Sequence, residues 1–226
     1  VGFEILARWR HPTEGLISPA RFLPLVEECG LSSRMFAKLL TRSCDIAMRW
    51  PRDLTLSVNV SPLELQDESL PDAVEHILAD TGMPGHRLDI EITENALIDD
   101  SAAARSVVQR LRRLGVSFAL DDFGTGFSSL YHLRELPFDK LKLDRSFVFR
   151  LDQDPDGARY VASIAAFARS LGLEVTVEGI EDQATLDTVR ELGCTFGQGY
   201  LLGRPMPAED AQLLLTASVG AAMAAE

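Results

Sequence analysis

Hydrophobic positions along this chain fall into short runs of strand type separated by longer helical stretches. Gly2–Trp9 is strand-like. Ser18-Pro19 has the form of an N-cap with proline at the first helical position, and opens a helix to about Cys29. Ser32 or Ser33 starts a longer helix ending near Trp50. Leu54–Val60 (LTLSVNV) alternates as a strand. A helix over Leu70–Asp80 stops at Gly82, a strand covers Arg87–Thr93, and a helix from about Asp100 stops at Gly115. Val116–Leu120 and Lys140–Leu143 read as strands. They are followed by a helix over Asp156–Leu171, a strand over Leu173–Val177, a helix over Gln183–Leu192, a short strand over Thr195–Tyr200 and a terminal helix over Pro207–Thr216. Residues 217–226, rich in alanine, read as a frayed tail.

Strands alternating with glycine-terminated helices are the mark of parallel α/β structure. No long polar linker divides the chain, so residues 1–216 form one domain in this reading. The candidate strands number seven, where a closed (β/α) barrel needs eight. The first strand of a barrel then lacks its place in this chain. The start at Val1, already strand-like and without methionine, is that expected of a piece of a longer protein. An open doubly wound sheet is the alternative.

Charge narrows the function. The chain has 226 residues, 25% of them charged, and a formal net charge of −12. An acidic surface argues against DNA or RNA as partners, which call for a basic footprint. Cys29, Cys44 and Cys194 are far apart, as reduced thiols of a cytoplasmic domain would be. The sequence shows no signal peptide and no apolar run of membrane-helix length. His11, His76, His86 and His132 have no metal spacing, and Trp9 and Trp50 are read as packing residues.

Polar residues recur where the apolar strands end. Asn59 ends LTLSVNV, Glu91 and Glu94 end LDIEITEN, and Asp121 and Asp122 end VSFALDD. Lys142 and Asp144 end DKLKLD, Glu178 and Glu181 end LEVTVEGIE, and Gln198 lies in FGQGY. A single acid at a strand end is ordinarily a turn or cap residue. Caps do not call for such residues on nearly every strand, however, and in a barrel these ends converge on one mouth. Carboxylates gathered there repel one another, and divalent cations relieve the repulsion. Oxygen ligands favour Mg²⁺ or Mn²⁺, and adjacent Asp121 and Asp122 suit two metals about 3.5–4 Å apart. Metal-assisted phosphoester hydrolysis is the chemistry that follows. Glu4 sits early in its strand, so membership of the cluster requires that strand to run opposite to its neighbours. Pairing with Arg8 four residues on is the equal alternative.

Seven segments together, FEILARW, SVNVS, LDIEITEN, LDDFGTGFSSL, LPFDKLKLDRSFV, VEGIED and GQGYLLGRPMP, resemble the EAL domain family of cyclic di-GMP-specific phosphodiesterases. The resemblance runs from Val1 to about Leu215. It implies a modified TIM (β/α)8 barrel with one antiparallel strand, and hydrolysis of cyclic di-GMP to linear pGpG by metal-activated water. It also implies metal ligands at Glu4, Asn59, Glu91, Asp121, Asp122 and Glu178. Lys142 matches a charge-stabilising lysine, and Glu94 a glutamate that props the DDFGTG loop. Leu6, Arg8, Asp144, Glu181 and Gln198 match positions around the substrate. A homodimer through the 122–135 loop and helix region, and flanking sensory, GGDEF-type or membrane-anchoring segments, belong to the same expectation. A catalytically silent or gated cyclic di-GMP receptor is the competing reading. Ile5 stands where the family's signature has alanine. The family's strand with a YQPI-like segment, before the signature, has no counterpart here.

Overall fold

The computed structural model describes residues 2–50, 54–94, 102–124, 133, 136–151 and 156–223. Its frame is a curled parallel sheet of seven strands. In chain order the elements are β1 (Gly2–Glu4), β2 (Trp9–His11), β3 (Gly15–Ile17), α1 (Pro19–Glu28), α2 (Ser32–Ala47), β4 (Thr55–Asn59), α3 (Pro62–Leu65) and α4 (Leu70–Thr81). Then come β5 (Leu88–Thr93), α5 (Ala102–Arg113), β6 (Ser117–Phe123), β7 (Lys140–Leu143), α6 (Arg145–Leu151), α7 (Gly157–Ser170), β8 (Glu174–Val177), α8 (Gln183–Glu191), β9 (Phe196–Gly197) and α9 (Ala208–Met223). The sheet runs β1-β4-β5-β6-β7-β8-β9, and β2 and β3 form a separate antiparallel pair.

Period-2 alternation decides what each face of the sheet carries. One face presents Leu56 and Val58, Leu88, Ile90 and Ile92, Phe118 and Leu120, Leu141 and Leu143, and Val175 and Val177, all buried. These pack with Phe36, Leu40, Val74, Val107, Leu111 and Val161 from the surrounding helices into one core. The other face carries Ser57 and Asn59, Asp89 and Glu91, Ala119 and Asp121, Lys140 and Lys142, and Thr176 and Glu178. The fold thus keeps its hydrophobic core outside the curl and lines the inside with polar groups.

Two expectations change. The segment Gly2–Trp9 is not one strand: β1 ends at Glu4, and Trp9 begins the β2–β3 hairpin. Strand β1 pairs in parallel with β4, through Gly2↔Thr55 and Glu4↔Ser57. Glu4 therefore reaches the mouth because its strand is short, not because it runs backwards. The terminal helix continues to Met223. The expected helix start at Asp100, His132, most of the 122–135 region and residues 224–226 lie outside the described residues.

Candidate active site

Lys142, near the end of β7, is the centre of the mouth. Its Nζ lies 2.7 Å from Glu91 Oε2, 2.8 Å from Glu178 Oε1, 3.2 Å from Asp121 Oδ1 and 4.0 Å from Glu4 Oε2. Lys142 and Glu91 are each only 3% exposed. Burial works against the ammonium, but Glu91, Asp121, Glu178 and Glu4 together outweigh it and hold its pKa above the usual lysine range. Burial pushes Glu91 up to about 7 against the pull of Lys142, with Glu4 and Asp121 adding to the rise. Glu178 is raised by burial as well. The two directions are consistent: one ammonium stays charged but cannot keep every carboxyl around it ionised.

Glu4 ties the first and last strands of the sheet together. Asn59 Nδ2 donates to its Oε1 at 2.8 Å, and Gln198 Nε2 donates to its Oε2 at 2.7 Å. Strands β1 and β9 are not hydrogen-bonded neighbours among the described residues, so this bridge closes the mouth by side chains. Arg8 donates instead to the carbonyl of Ala7, and the Glu4–Arg8 pairing is not formed.

The Asp-Asp dipeptide poses a geometric problem, since neighbours in a strand point to opposite faces. The register of β6 against β7 shifts between Leu120↔Leu141 and Phe123↔Leu143, a β-bulge at the two aspartates. Asp122 has φ 54°, the one left-handed non-glycine backbone among the described residues. The bulge breaks the alternation. Burial, Asp121 and Asp144 all raise the Asp122 carboxyl, in that order. Such a conformation is costly for a residue with a β-carbon, and strain of this kind clusters at functional sites.

The helix after β7 braces both acidic turns. Asp144 Oδ1 accepts from the amide of Ser146 at 2.9 Å and caps α6. Burial works to raise the Asp144 carboxyl, but the hydroxyl and amide of Ser146 lower it below the usual range. A β-carbon on Gly124 (φ +89°) would stand 2.5 Å from Cζ of Phe147. One on Gly179 (φ +77°) would stand 2.6 Å from Cβ of Arg145. Only glycine allows these turns to seat on α6. Buried Glu94 accepts from the amide of Gly124 at 3.3 Å. Leu6, Arg8 and Glu181 are exposed and stand outside this network. Lys140, which bonds Asp89 at 2.5 Å, had no place in the sequence reading, although KLK alternates its lysines onto one face.

Three comparisons place the chain among known proteins. The model of the EAL domain matches residues 1–205. This chain belongs to the EAL domain family. It is 40% identical over 208 residues to the cyclic di-GMP phosphodiesterase NbdA of Pseudomonas aeruginosa, covering 90% of this chain and 27% of NbdA. The solved MucR phosphodiesterase, in complex with c-di-GMP, matches this EAL domain with a TM-score of 0.87 at 39% identity, over 93% of this chain and 87% of that one. The FimX EAL domain from Pseudomonas aeruginosa, bound to c-di-GMP, matches with a TM-score of 0.83 at 26% identity, over 90% and 83% of the two chains. This EAL domain spans about a quarter to a third of the length of the first curated relatives. Among its described residues no helix is long and apolar enough to cross a membrane.

Proposed function

We propose that this EAL domain hydrolyses cyclic di-GMP to linear pGpG. The observation that carries the reading is Lys142 buried among Glu91, Asp121 and Glu178 at the mouth of the sheet. Glu4, Asn59, Glu91, Asp121, Asp122 and Glu178 would hold Mg²⁺ or Mn²⁺. The donors are all oxygen, as those cations prefer, and the carboxyls outnumber the ammonium that partners them. Such cations, when bound, lower the pKa of water and neutralise phosphate charge. The chain's own groups do the rest. Lys142 keeps a fixed positive charge where negative charge develops on phosphate. Gln198 and Asn59 hold Glu4 in place, and Glu94 fixes the turn after Asp122 through the Gly124 amide. Arg8 offers a guanidinium to a phosphate and Leu6 an apolar contact, while Asp144 and Glu181 complete the substrate side. We further assign dimerisation to the 122–135 region, and place the domain in the cytoplasm beside flanking sensory or GGDEF-type domains.

One observation favours a second reading, a receptor that binds without turnover or a gated enzyme. Among the described residues no group of three Asp, Glu, His or Cys side chains is gathered closely enough to hold a metal ion. Chromatographic product analysis with cyclic di-GMP and Mg²⁺ or Mn²⁺, beside an Asp121→Ala control, separates the two. Linear pGpG from the parent alone supports hydrolysis. Tight binding with unchanged nucleotide supports the receptor.

A further inference from the structure

The rim of the mouth carries a cation whose partner is an aromatic ring. Strand β9 runs parallel to β8, so the residues that follow it lie at the mouth. Gln198 there donates to Glu4. The next residue, Gly199, seats so closely on the turn after Glu178 that a β-carbon would collide with the backbone of Ile180. The amide of Leu201 donates to the Ile180 carbonyl at 3.0 Å, and the amides of Leu202 and Gly203 donate to the carbonyl of Gly199, each at 3.0 Å. Residues 199–203 therefore form a pinned turn. Tyr200 stands on it, 50% exposed. Arg204, also exposed, lays its Cζ over the Tyr200 ring, 4.4 Å from the centroid. Among the described residues no carboxylate partners Arg204, in a chain of net charge −12.

We propose that Arg204 reads a guanine base of the substrate, with Tyr200 as its positioning residue. A guanidinium stacked on a ring commits its face and keeps its N–H edge for a ligand. That edge matches the two acceptors of guanine, O6 and N7. Where guanine has O6 adenine has an amine donor, so the same edge disfavours adenine. The Gln198–Glu4 bond ties this turn to the segment after β1, which carries Leu6 and Arg8. A phosphate at Arg8 and a base at Arg204 are thus served by the two segments that this bond joins. Tyr200 holds a flexible side chain flat before the ligand arrives, which lowers the cost of ordering it on binding. The inference rests on the cyclic di-GMP reading of the site and adds to it the group that selects the base.

The test is calorimetric titration with guanine and adenine dinucleotides: cyclic di-GMP and cyclic di-AMP in chelator, and linear pGpG and pApA with Mn²⁺. The proteins are the parent, Arg204→Lys, Tyr200→Phe and Tyr200→Leu, with thermal unfolding as fold control. The parent is expected to prefer guanine. Arg204→Lys keeps the charge but not the fork; it should weaken the guanine dinucleotides by about tenfold or more and leave the adenine ones within about threefold. Tyr200→Phe keeps parental affinity, and Tyr200→Leu weakens the guanine dinucleotides in the same direction as Arg204→Lys, by less. A parent that holds both bases equally well overturns the proposal. So does parental preference in Arg204→Lys, or equal weakening for both bases, since the latter would show a contact to phosphate alone. Parental affinity in Tyr200→Leu overturns the positioning role of the ring. A parent that binds none of the four dinucleotides defeats the cyclic di-GMP reading itself, a result distinct from the others.

Discussion

Replacing Lys142 by Met tests the electrostatics of the mouth directly. Met preserves most of the length and volume of the side chain and removes its charge. Glu91, Asp121 and Glu178 then lose the ammonium they share at 2.7, 3.2 and 2.8 Å. Leaving a buried partner uncompensated costs about 3–5 kcal/mol. For a domain of this size about 1 kcal/mol moves Tm by roughly 2–4 °C, so the metal-free variant is expected to melt roughly 6–20 °C below the parent. The loss is smaller in mild acid, where Glu91, pushed up to about 7, takes up a proton and sheds charge that needs a partner. Thermal unfolding followed by circular dichroism, in chelator at about pH 8 and about pH 6, reads both effects. Added Mn²⁺ should recover more stability in the variant than in the parent, because it is the only cation left to the cluster. Turnover of cyclic di-GMP should fall by about 10²–10³-fold. A variant as stable as the parent at about pH 8 without metal would refute the reasoning, because the carboxylates would then not depend on this lysine.

Three further outcomes follow from the same geometry. Asp122→Gly should be about 1 kcal/mol more stable to urea than Asp122→Ala, since only glycine takes φ 54° freely; both should lose hydrolysis, and equal stabilities would deny a strained bend. Glu91, Glu178 and Asp122 are raised above their unfolded values, so the folded state binds more protons than the unfolded one. Their contribution to stability therefore falls as pH rises from about 4.5 to the Glu91 value of about 7. Thermal shift should accordingly find that Mn²⁺ stabilises the protein more at the alkaline end of that window, and a gain independent of pH would contradict the assignment. Asp144→Ala should cost about 1 kcal/mol through loss of the α6 cap while Asp144→Asn costs less, as read by urea midpoints.

What could be read in advance depended on whether a signal was local. The strands β4, β5 and β7 were legible because each carries its own alternation, and the helices because glycine or a cap residue marks their ends. The convergence of Asn59, Glu91, Asp121, Lys142 and Glu178 followed from parallel topology alone. The strand that carries Glu4 was misjudged for a local reason. FEILARW looks like one apolar run, whereas β1 stops at Glu4 and Trp9 is claimed by a hairpin with Gly15–Ile17. No period marks where a strand leaves a sheet for a nonlocal partner. The helix α6 hid behind DRSFV in the same way, since Asp144 read as a strand-end acid and is also a cap.

The Asp-Asp pair exposes a deeper limit. Adjacency in sequence suggested that both carboxylates serve one site, yet strand geometry sends neighbours to opposite faces. Only a bulge with left-handed Asp122 reconciles the two, and a bulge is a statement about two strands at once. The Lys140–Asp89 pair is of the same kind. Its members lie 51 residues apart, and their relation appears only when β5, β6 and β7 are set in register. Residue type announced which groups can do chemistry; register decides which of them are permitted to meet.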